Sequence, residues 1–263
     1  MTINCKSKLI DLSTPKVMGI LNLTPDSFYD GGRYKKESET LLKVEKMLNE
    51  GATFIDVGAY SSRPNAIHIS EEEELNRLLP IIEILIKSFP DILLSIDTFR
   101  SRVAKEGIEA GACMINDISA GKLDKKMLST VAKYHVPYIM MHMKGTPQTM
   151  QKHTNYNDLV KDILLYFSER IAEARSLGII DLIVDPGFGF AKTIVQNFEL
   201  LNKLDLFKML DLPVLVGVSR KSMIYKSLDI SVDDALNGTT VLNYVALQKG
   251  VHILRVHDVK EAI

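Results

Sequence analysis

Polar and ionisable residues close a series of short apolar runs along this chain of 263 residues. Their types point to a chemistry. Asp97, Asn116 and Asp185 each end one run. Together they can donate and accept hydrogen bonds along the amino-pyrimidine edge of a flat heterocycle. Lys221 follows the seventh run, and Arg255 and His257 stand at the end of the eighth; they supply positive charge for a phosphate-bearing molecule. Asn22 ends the first run and leads into Thr24-Pro25-Asp26-Ser27-Phe28-Tyr29-Asp30-Gly31-Gly32. Arg63 stands in the Pro-containing stretch Ser61-Ser62-Arg63-Pro64, from which it could reach over a site. For one residue alone, such as Asp56, a capped turn is an equal explanation, because Asp, Asn and Ser are common where a strand gives way to a helix. A polar residue at the same end of every run argues against a purely structural origin.

Other candidates weigh less. His68, His135, His153 and His252 lack partners at metal-binding spacing and read as surface or packing residues. His142 ends the fifth run, where it either lines a cavity or makes a structural hydrogen bond. Met140, Met141 and Met143 lie on or beside that run, and alternate ones should pack the interior and its rim. Cys113 reads as a small buried hydrophobe. The acidic run Glu71–Glu74 reads as a solvated helix start. Gly187-Phe188-Gly189, after Asp185-Pro186, reads as a tight loop that brings Phe190 over the site.

The elements that must position these residues follow from periodicity. The apolar runs are Val17–Leu23, Phe54–Val57, Ile92–Ile96, Met114–Ile118, Tyr138–Met141, Leu182–Val184, Val214–Val218 and His252–Val256. They recur roughly every 34 residues, the period of a strand plus a helix. Each is near-continuously apolar, as strands buried on both faces are. The stretches between them have helical period. Leu159, Ile163, Phe167, Ile171 and Ala174 form one stripe. Ser70 with Glu73 spells a capping box, and Ser231 is placed to cap the stretch Ala235–Gln248. Gly51, Gly111, Gly178 and Gly250 stand where helices should end.

Eight such units predict an α/β fold, a single-domain (β/α)8 TIM barrel over residues 16–263 with an N-terminal extension, residues 1–15, across its bottom. The alternative is an open doubly wound sheet, but its Gly-rich fingerprint is missing after the first strand. Only Val259–Ile263 follows the eighth run, so the last outer helix should be short or missing. In a barrel of this kind the site lies at the C-terminal ends of the strands, where the polar residues fall, with phosphate near strands seven and eight.

Composition excludes several classes. Apolar residues make up 46% and charged residues 25%, which is globular rather than disordered. A net charge of −1 gives no general attraction to nucleic acid or to an anionic membrane. Two cysteines are too few for a disulfide framework. There is no apolar run of spanning length and no signal-peptide pattern, so a cytoplasmic protein is expected.

In these motifs the sequence resembles the dihydropteroate synthases, the pterin-binding barrel enzymes of folate biosynthesis. The resemblance is carried by Gly19-Ile20-Leu21-Asn22-Leu23-Thr24-Pro25-Asp26-Ser27-Phe28 with Asp30-Gly31-Gly32, then Asp56-Val57-Gly58 with Ser61-Ser62-Arg63-Pro64, Ser95-Ile96-Asp97-Thr98 and Ile115-Asn116-Asp117. It continues through Met141-His142, Asp185-Pro186-Gly187-Phe188-Gly189-Phe190, Ser219-Arg220-Lys221-Ser222 and Arg255-Val256-His257-Asp258. Ser62 departs from the more usual Thr. The resemblance implies condensation of 6-hydroxymethyl-7,8-dihydropterin diphosphate with 4-aminobenzoate, Mg2+ as cofactor, and a homodimer. It implies that Asp97, Asn116, Asp185 and Lys221 bind the pterin, with Ile118, Met140 or Met141, Phe190 and Arg255 along its faces. Asn22, Arg255 and His257 would hold the diphosphate, and Asn22 the metal. Phe28, Ser62, Arg63, Pro64, Phe190, Lys221 and Ser222 would receive 4-aminobenzoate. Asp185, Lys221, Arg63 and Asp30 would carry catalysis. Two other readings share the pterin contacts: a pterin-dependent methyltransferase and a non-catalytic pterin-binding paralogue.

Overall fold

A computed structural model of the protein describes residues 1–23, 33–62 and 68–263. The chain opens with an antiparallel hairpin of β1 (Thr2–Cys5) and β2 (Lys8–Asp11). Eight parallel strands follow: β3 (Lys16–Asn22), β4 (Phe54–Gly58), β5 (Leu94–Asp97), β6 (Met114–Asp117), β7 (Tyr138–Met141), β8 (Leu182–Asp185), β9 (Leu215–Val216) and β10 (Ile253–Val256). They pair in the order β8-β7-β6-β5-β4-β3-β10-β9. A bridge between Val184 and Val214, with Val184 N donating to Pro213 O at 2.9 Å, joins the two ends. The result is the (β/α)8 barrel, and the joined ends exclude the open sheet.

Strand alternation sorts side chains to two sides. Met18, Phe54, Met114, Ile139, Ile183, Leu215 and Ile253 point inward and form an apolar floor with Ile3, Cys5 and Leu12. The hairpin thus seals the N-terminal end of the barrel. Burying Ile3 and Leu12, each 1% exposed, stabilises this seal by roughly 1.5–3 kcal/mol apiece. Leu21, Ile55, Ile96, Ile115, Met140 and Val184 belong instead to the larger cluster between strands and helices. Met140 is therefore not in the barrel interior. Ile139 takes the inward position, so Met141 shares its face and Met140 does not.

The helices are α1 (Arg33–Asn49), α2 (Glu71–Ser88), α3 (Ser101–Glu109), α4 (Met127–Tyr134), α5 (Leu159–Ser176), α6 (Ile194–Asn202), α7 (Ser222–Leu228), α8 (Leu236–Gln248) and the single turn α9 (Val259–Ala262). The stripe read on α5 is buried along its length. Ser70 caps α2, accepting from Glu73 N at 3.1 Å, but the box is only half made. The Glu73 carboxylate pairs with Arg77 at 2.7 Å instead. Ser231 does not cap α8, whose N-cap is Ala235 without a side-chain bond; its Oγ accepts from Asp234 N at 3.2 Å, in the 3-10 turn that precedes the helix. Gly51, Gly111, Gly178 and Gly250 all turn the chain out of helices at positive φ, between +86° and +113°. No helix among the described residues is long and apolar enough to cross a membrane.

Candidate active site

A polar layer lies one step above the apolar floor. Asp56, Asn116, Asp185 and Arg255 stand two residues after Phe54, Met114, Ile183 and Ile253, so the same alternation turns them inward. Arg255 Nε donates to Asp56 Oδ2 at 2.6 Å, and its Nη2 donates to Asp97 Oδ2 at 2.8 Å. Asn116 Nδ2 donates to the same Asp56 oxygen at 2.9 Å. Residues from β4, β5, β6 and β10 are thereby locked into one network. Asp56 Oδ1 and Ser95 Oγ, at paired positions of β4 and β5, are buried without a protein partner. Unmet hydrogen-bonding capacity in a buried layer calls for water or a polar ligand.

The electrostatics are those of a crowded, partly dry site. Burial pushes the Asp97 carboxyl up to about 7, against the pull of Arg255 and with help from the Asp56 charge. Burial raises Asp185 as well, while Lys221 and the Gly187 N–H oppose it. Burial pushes Lys221 down to about 8, with Asp185 opposing. Burial also works against the Arg255 charge, but Asp56 and Asp97 outweigh it and hold the guanidinium more firmly protonated than usual. Arg255 is therefore no surplus cation: two carboxylates already share its charge.

The loop after β8 forms one side of the mouth. Gly187 N donates to Asp185 Oδ1 at 2.8 Å. Gly187 has φ +75°, and a Cβ there would lie 2.1 Å from His142 O, so no side chain fits. Lys221, at the N-cap of α7, donates from Nζ to Phe188 O and sits 4.9 Å from the centre of the Phe190 ring. Phe190 packs with Ile118, Met141, Met143 and Met150 in an apolar cluster above the polar layer. Ser222, half-buried, opens α7 beside Lys221. Across the mouth, His257 Nδ1 lies 2.9 Å from Ser219 Oγ, and Asn22 is half-exposed at the end of β3.

The structure thus brings Asp97, Asn116 and Arg255 into one network, and Lys221 onto Phe190. Met141 takes the place beside Ile118 and Phe190 that was shared with Met140. Ser62 is described and half-buried; Phe28, Asp30, Arg63 and Pro64 lie outside the described residues.

Several contributors were not singled out as site residues. Asp56 is the hub of the network, legible only through the inward parity it shares with Phe54. Lys192 is 3% exposed, and its Nζ donates to Gly187 O at 2.9 Å and Phe190 O at 3.0 Å and lies 3.1 Å from His142 Nδ1. It staples the loop from behind, and no spacing announces it. Glu74 is not a solvated helix-start acid but is 1% exposed, because helical period turns it inward with Leu75 and Leu78. It accepts from Arg100 Nη1 at 2.5 Å and from Thr98 Oγ1 at 2.8 Å. Arg100 also donates to Ile69 O at 2.7 Å, which ties the residues just before α2 to the same cluster.

A barrel with a polar layer of this kind under its mouth is an enzyme fold with a built small-molecule site. Residues 18–257 match the family model of the pterin binding enzymes. The chain is 44% identical over 261 residues to the dihydropteroate synthase of Haemophilus influenzae, covering 98% of this chain and 94% of that protein. It is 43% identical over 256 residues to the Escherichia coli K12 dihydropteroate synthase, covering 97% and 90%. Among solved structures, the Yersinia pestis dihydropteroate synthase in a sulfonamide drug complex superposes with a TM-score of 0.93 at 42% identity, covering 100% and 95%. The Xanthomonas albilineans dihydropteroate synthase with 4-aminobenzoic acid gives 0.92 at 37% identity, covering 99% and 94%. The chain belongs to the pterin-binding enzymes and, within them, to the dihydropteroate synthases.

Proposed function

We propose that the protein transfers the pterin-methyl group of 6-hydroxymethyl-7,8-dihydropterin diphosphate to the amine of 4-aminobenzoate, giving 7,8-dihydropteroate and diphosphate. The observation that carries the residue assignment is the inward network of Asp56, Asp97, Asn116 and Arg255. It presents carboxylate and amide edges to a planar ring, with unmet polar atoms beneath.

In this reading Asp97, Asn116 and Asp185 take the amino-pyrimidine edge of the pterin, and Lys221 hydrogen-bonds a ring acceptor. Ile118, Met141 and Phe190 flank the ring faces, and Arg255 lies along one of them. Asn22, Arg255 and His257 hold the diphosphate, Arg255 as a hydrogen-bond donor rather than as a surplus charge. Phe28, Ser62, Arg63 and Pro64 receive 4-aminobenzoate together with Phe190, Lys221 and Ser222, and Asp30 takes part in catalysis.

The C–O bond to diphosphate breaks first, and its electron pair leaves with the diphosphate. The methylene carbon becomes cationic and the pterin ring delocalises that charge. Asp185, a carboxylate buried beside the ring, favours the cation electrostatically. The arylamine nitrogen then forms the C–N bond and releases a proton. Because the amine is a weak nucleophile, loops that hold it in line and exclude water raise the fraction of cations it captures.

No group of three His, Cys, Asp or Glu among the described residues could hold a metal ion. The amide oxygen of Asn22 is a hard donor that fits Mg2+, and it would hold such an ion against the diphosphate. When bound, Mg2+ would neutralise charge on the leaving diphosphate.

A homodimer is part of the same proposal. Leu228, Val232, Val241 and Tyr244 around α7 and α8 leave 45–61% of their surface exposed, an apolar face of the kind that marks an interface.

The test is to supply both substrates with Mg2+ and follow dihydropteroate and diphosphate together. The proposal expects equal amounts of both, and loss of both in EDTA. Diphosphate release without dihydropteroate would reduce the protein to a hydrolase and overturn it.

A further inference from the structure

Outside the barrel mouth, a cavity of about 420 Å³ opens on the flank between the loops after β6 and β7 and the N-terminal half of α5. Lys122, Lys144, His142, His153, Asp162 and Tyr166 line it. That volume suits a small metabolite. The proposed reaction uses none of these residues.

Cations outnumber acids in its lining, and the Glu169 and Glu173 carboxylates act on Lys122 from outside it. The Lys122 ammonium sits 4.3 Å from the centre of the Tyr166 ring, and the Lys144 ammonium 3.6 Å from that of Tyr156. Lys144 Nζ also donates to Asn155 O at 2.8 Å. Neither ammonium has a carboxylate within ion-pairing distance among the described residues. Asp162 is the one acid in the lining, and its carboxylate accepts from Asn157 N at 3.3 Å. Behind the wall, Arg170 is already paired with Glu173, and Lys192 is buried against His142. Burial first, and then Lys192, Lys144 and Lys122, hold the His142 imidazole well below its usual range.

The back wall is also the support of the active-site loop. His142 Nδ1 meets Lys192 Nζ, which holds the carbonyls of Gly187 and Phe190. Tyr156, under the Lys144 ammonium, donates from its hydroxyl to Ala191 O at 2.9 Å. A group bound among these cations would therefore press on the residues that place Phe190.

We propose that this flank cavity is a second binding site, for a phosphate-bearing small molecule held by Lys122 and Lys144, and that its occupancy is felt at the 187–191 loop. Compact ammonium groups with free donors suit phosphate oxygens. The coupling half rests on the proposed function of the barrel mouth, and the binding half does not.

Two arms test it, using wild type and the double variant Lys122→Ala/Lys144→Ala. Both lysines are exposed or half-exposed, and an unchanged unfolding midpoint would establish that the variant is folded. In the first arm, crystals are soaked in tungstate as a heavy tetrahedral oxyanion, and inorganic phosphate is titrated in solution. Wild type should show an anomalous peak between Lys122 and Lys144. The folded variant should lose that peak and bind phosphate at the flank about tenfold or more weakly. No peak in the wild-type cavity, or a peak that survives the double substitution, overturns the site. In the second arm, the KM for 4-aminobenzoate is followed as phosphate rises. A shift in wild type that is absent in the variant supports coupling; the same shift in both assigns the effect to the barrel mouth and overturns coupling. If no turnover occurs at all, the proposed function fails while the tungstate arm still decides the site.

Discussion

Asp56 and Arg255 lie 199 residues apart in the chain and meet at 2.6 Å inside the barrel mouth, carboxylate Oδ2 to guanidinium Nε. The contact ties the last barrel strand to the second and leaves the other Asp56 oxygen unsatisfied. Removing one partner of a buried pair strands the other charge, at a cost of about 3–5 kcal/mol. Arg255→Met should therefore lower stability by that order in urea unfolding at pH 8. A change under about 1 kcal/mol would mean that the pair is not a structural hub.

Asp97 gives the network a pH signature. Its carboxyl is raised to about 7 in the folded protein, above its ordinary value of 3.8. The folded state thus keeps a proton that the unfolded chain has released. The associated stability is full below about pH 4 and is lost as pH rises through about 7. Asp97→Asn should flatten the stability curve between those values relative to wild type. Parallel curves would remove Asp97 from this account.

Asp185 and Lys221 separate catalysis from folding. Asp185→Asn keeps an oxygen for the Gly187 N–H but removes the charge that favours a cationic carbon. Turnover should fall by about 100-fold or more with the unfolding midpoint little changed. Burial and its neighbours set Lys221 at about 8, so kcat/KM should decline as pH rises through that value and the ammonium is lost. Lys221→Met should abolish that limb of the profile along with most of the activity.

Gly187 and Gly178 distinguish crowding from backbone strain. Both have positive φ, but a Cβ at Gly178 meets nothing within 4 Å, whereas one at Gly187 strikes His142 O. Gly178→Ala should cost about 1–2 kcal/mol, the strain of a left-handed residue. Gly187→Ala should cost clearly more and should also weaken substrate binding, since the loop carrying Phe190 must move. Equal costs would contradict the packing described for that loop.

The sequence revealed the barrel because its signals are local. Apolar runs of strand length, stripes such as Leu159 to Ala174 and glycines at helix ends each depend on a few neighbours. The level of the site along the strands was equally legible, since every run ends in a polar residue. What escaped depends on parity or on distant partners. Met140 and Met141 are equally apolar, and only the inward setting of Ile139 shows that Met141 faces the mouth. Glu74 looked solvated because its partner Arg100 is 26 residues away. Lys192 finds its buried acceptors only once the 187–191 loop is folded.

The most direct measurement is a calorimetric titration of wild type and Asp97→Asn with 6-hydroxymethylpterin alone, without 4-aminobenzoate or metal. Wild type should show one site per chain, and the folded variant an affinity weakened about tenfold or more, because an amide replaces an inward carboxylate oxygen. Equal affinity in both proteins would place the pterin outside the polar layer and contradict the central claim.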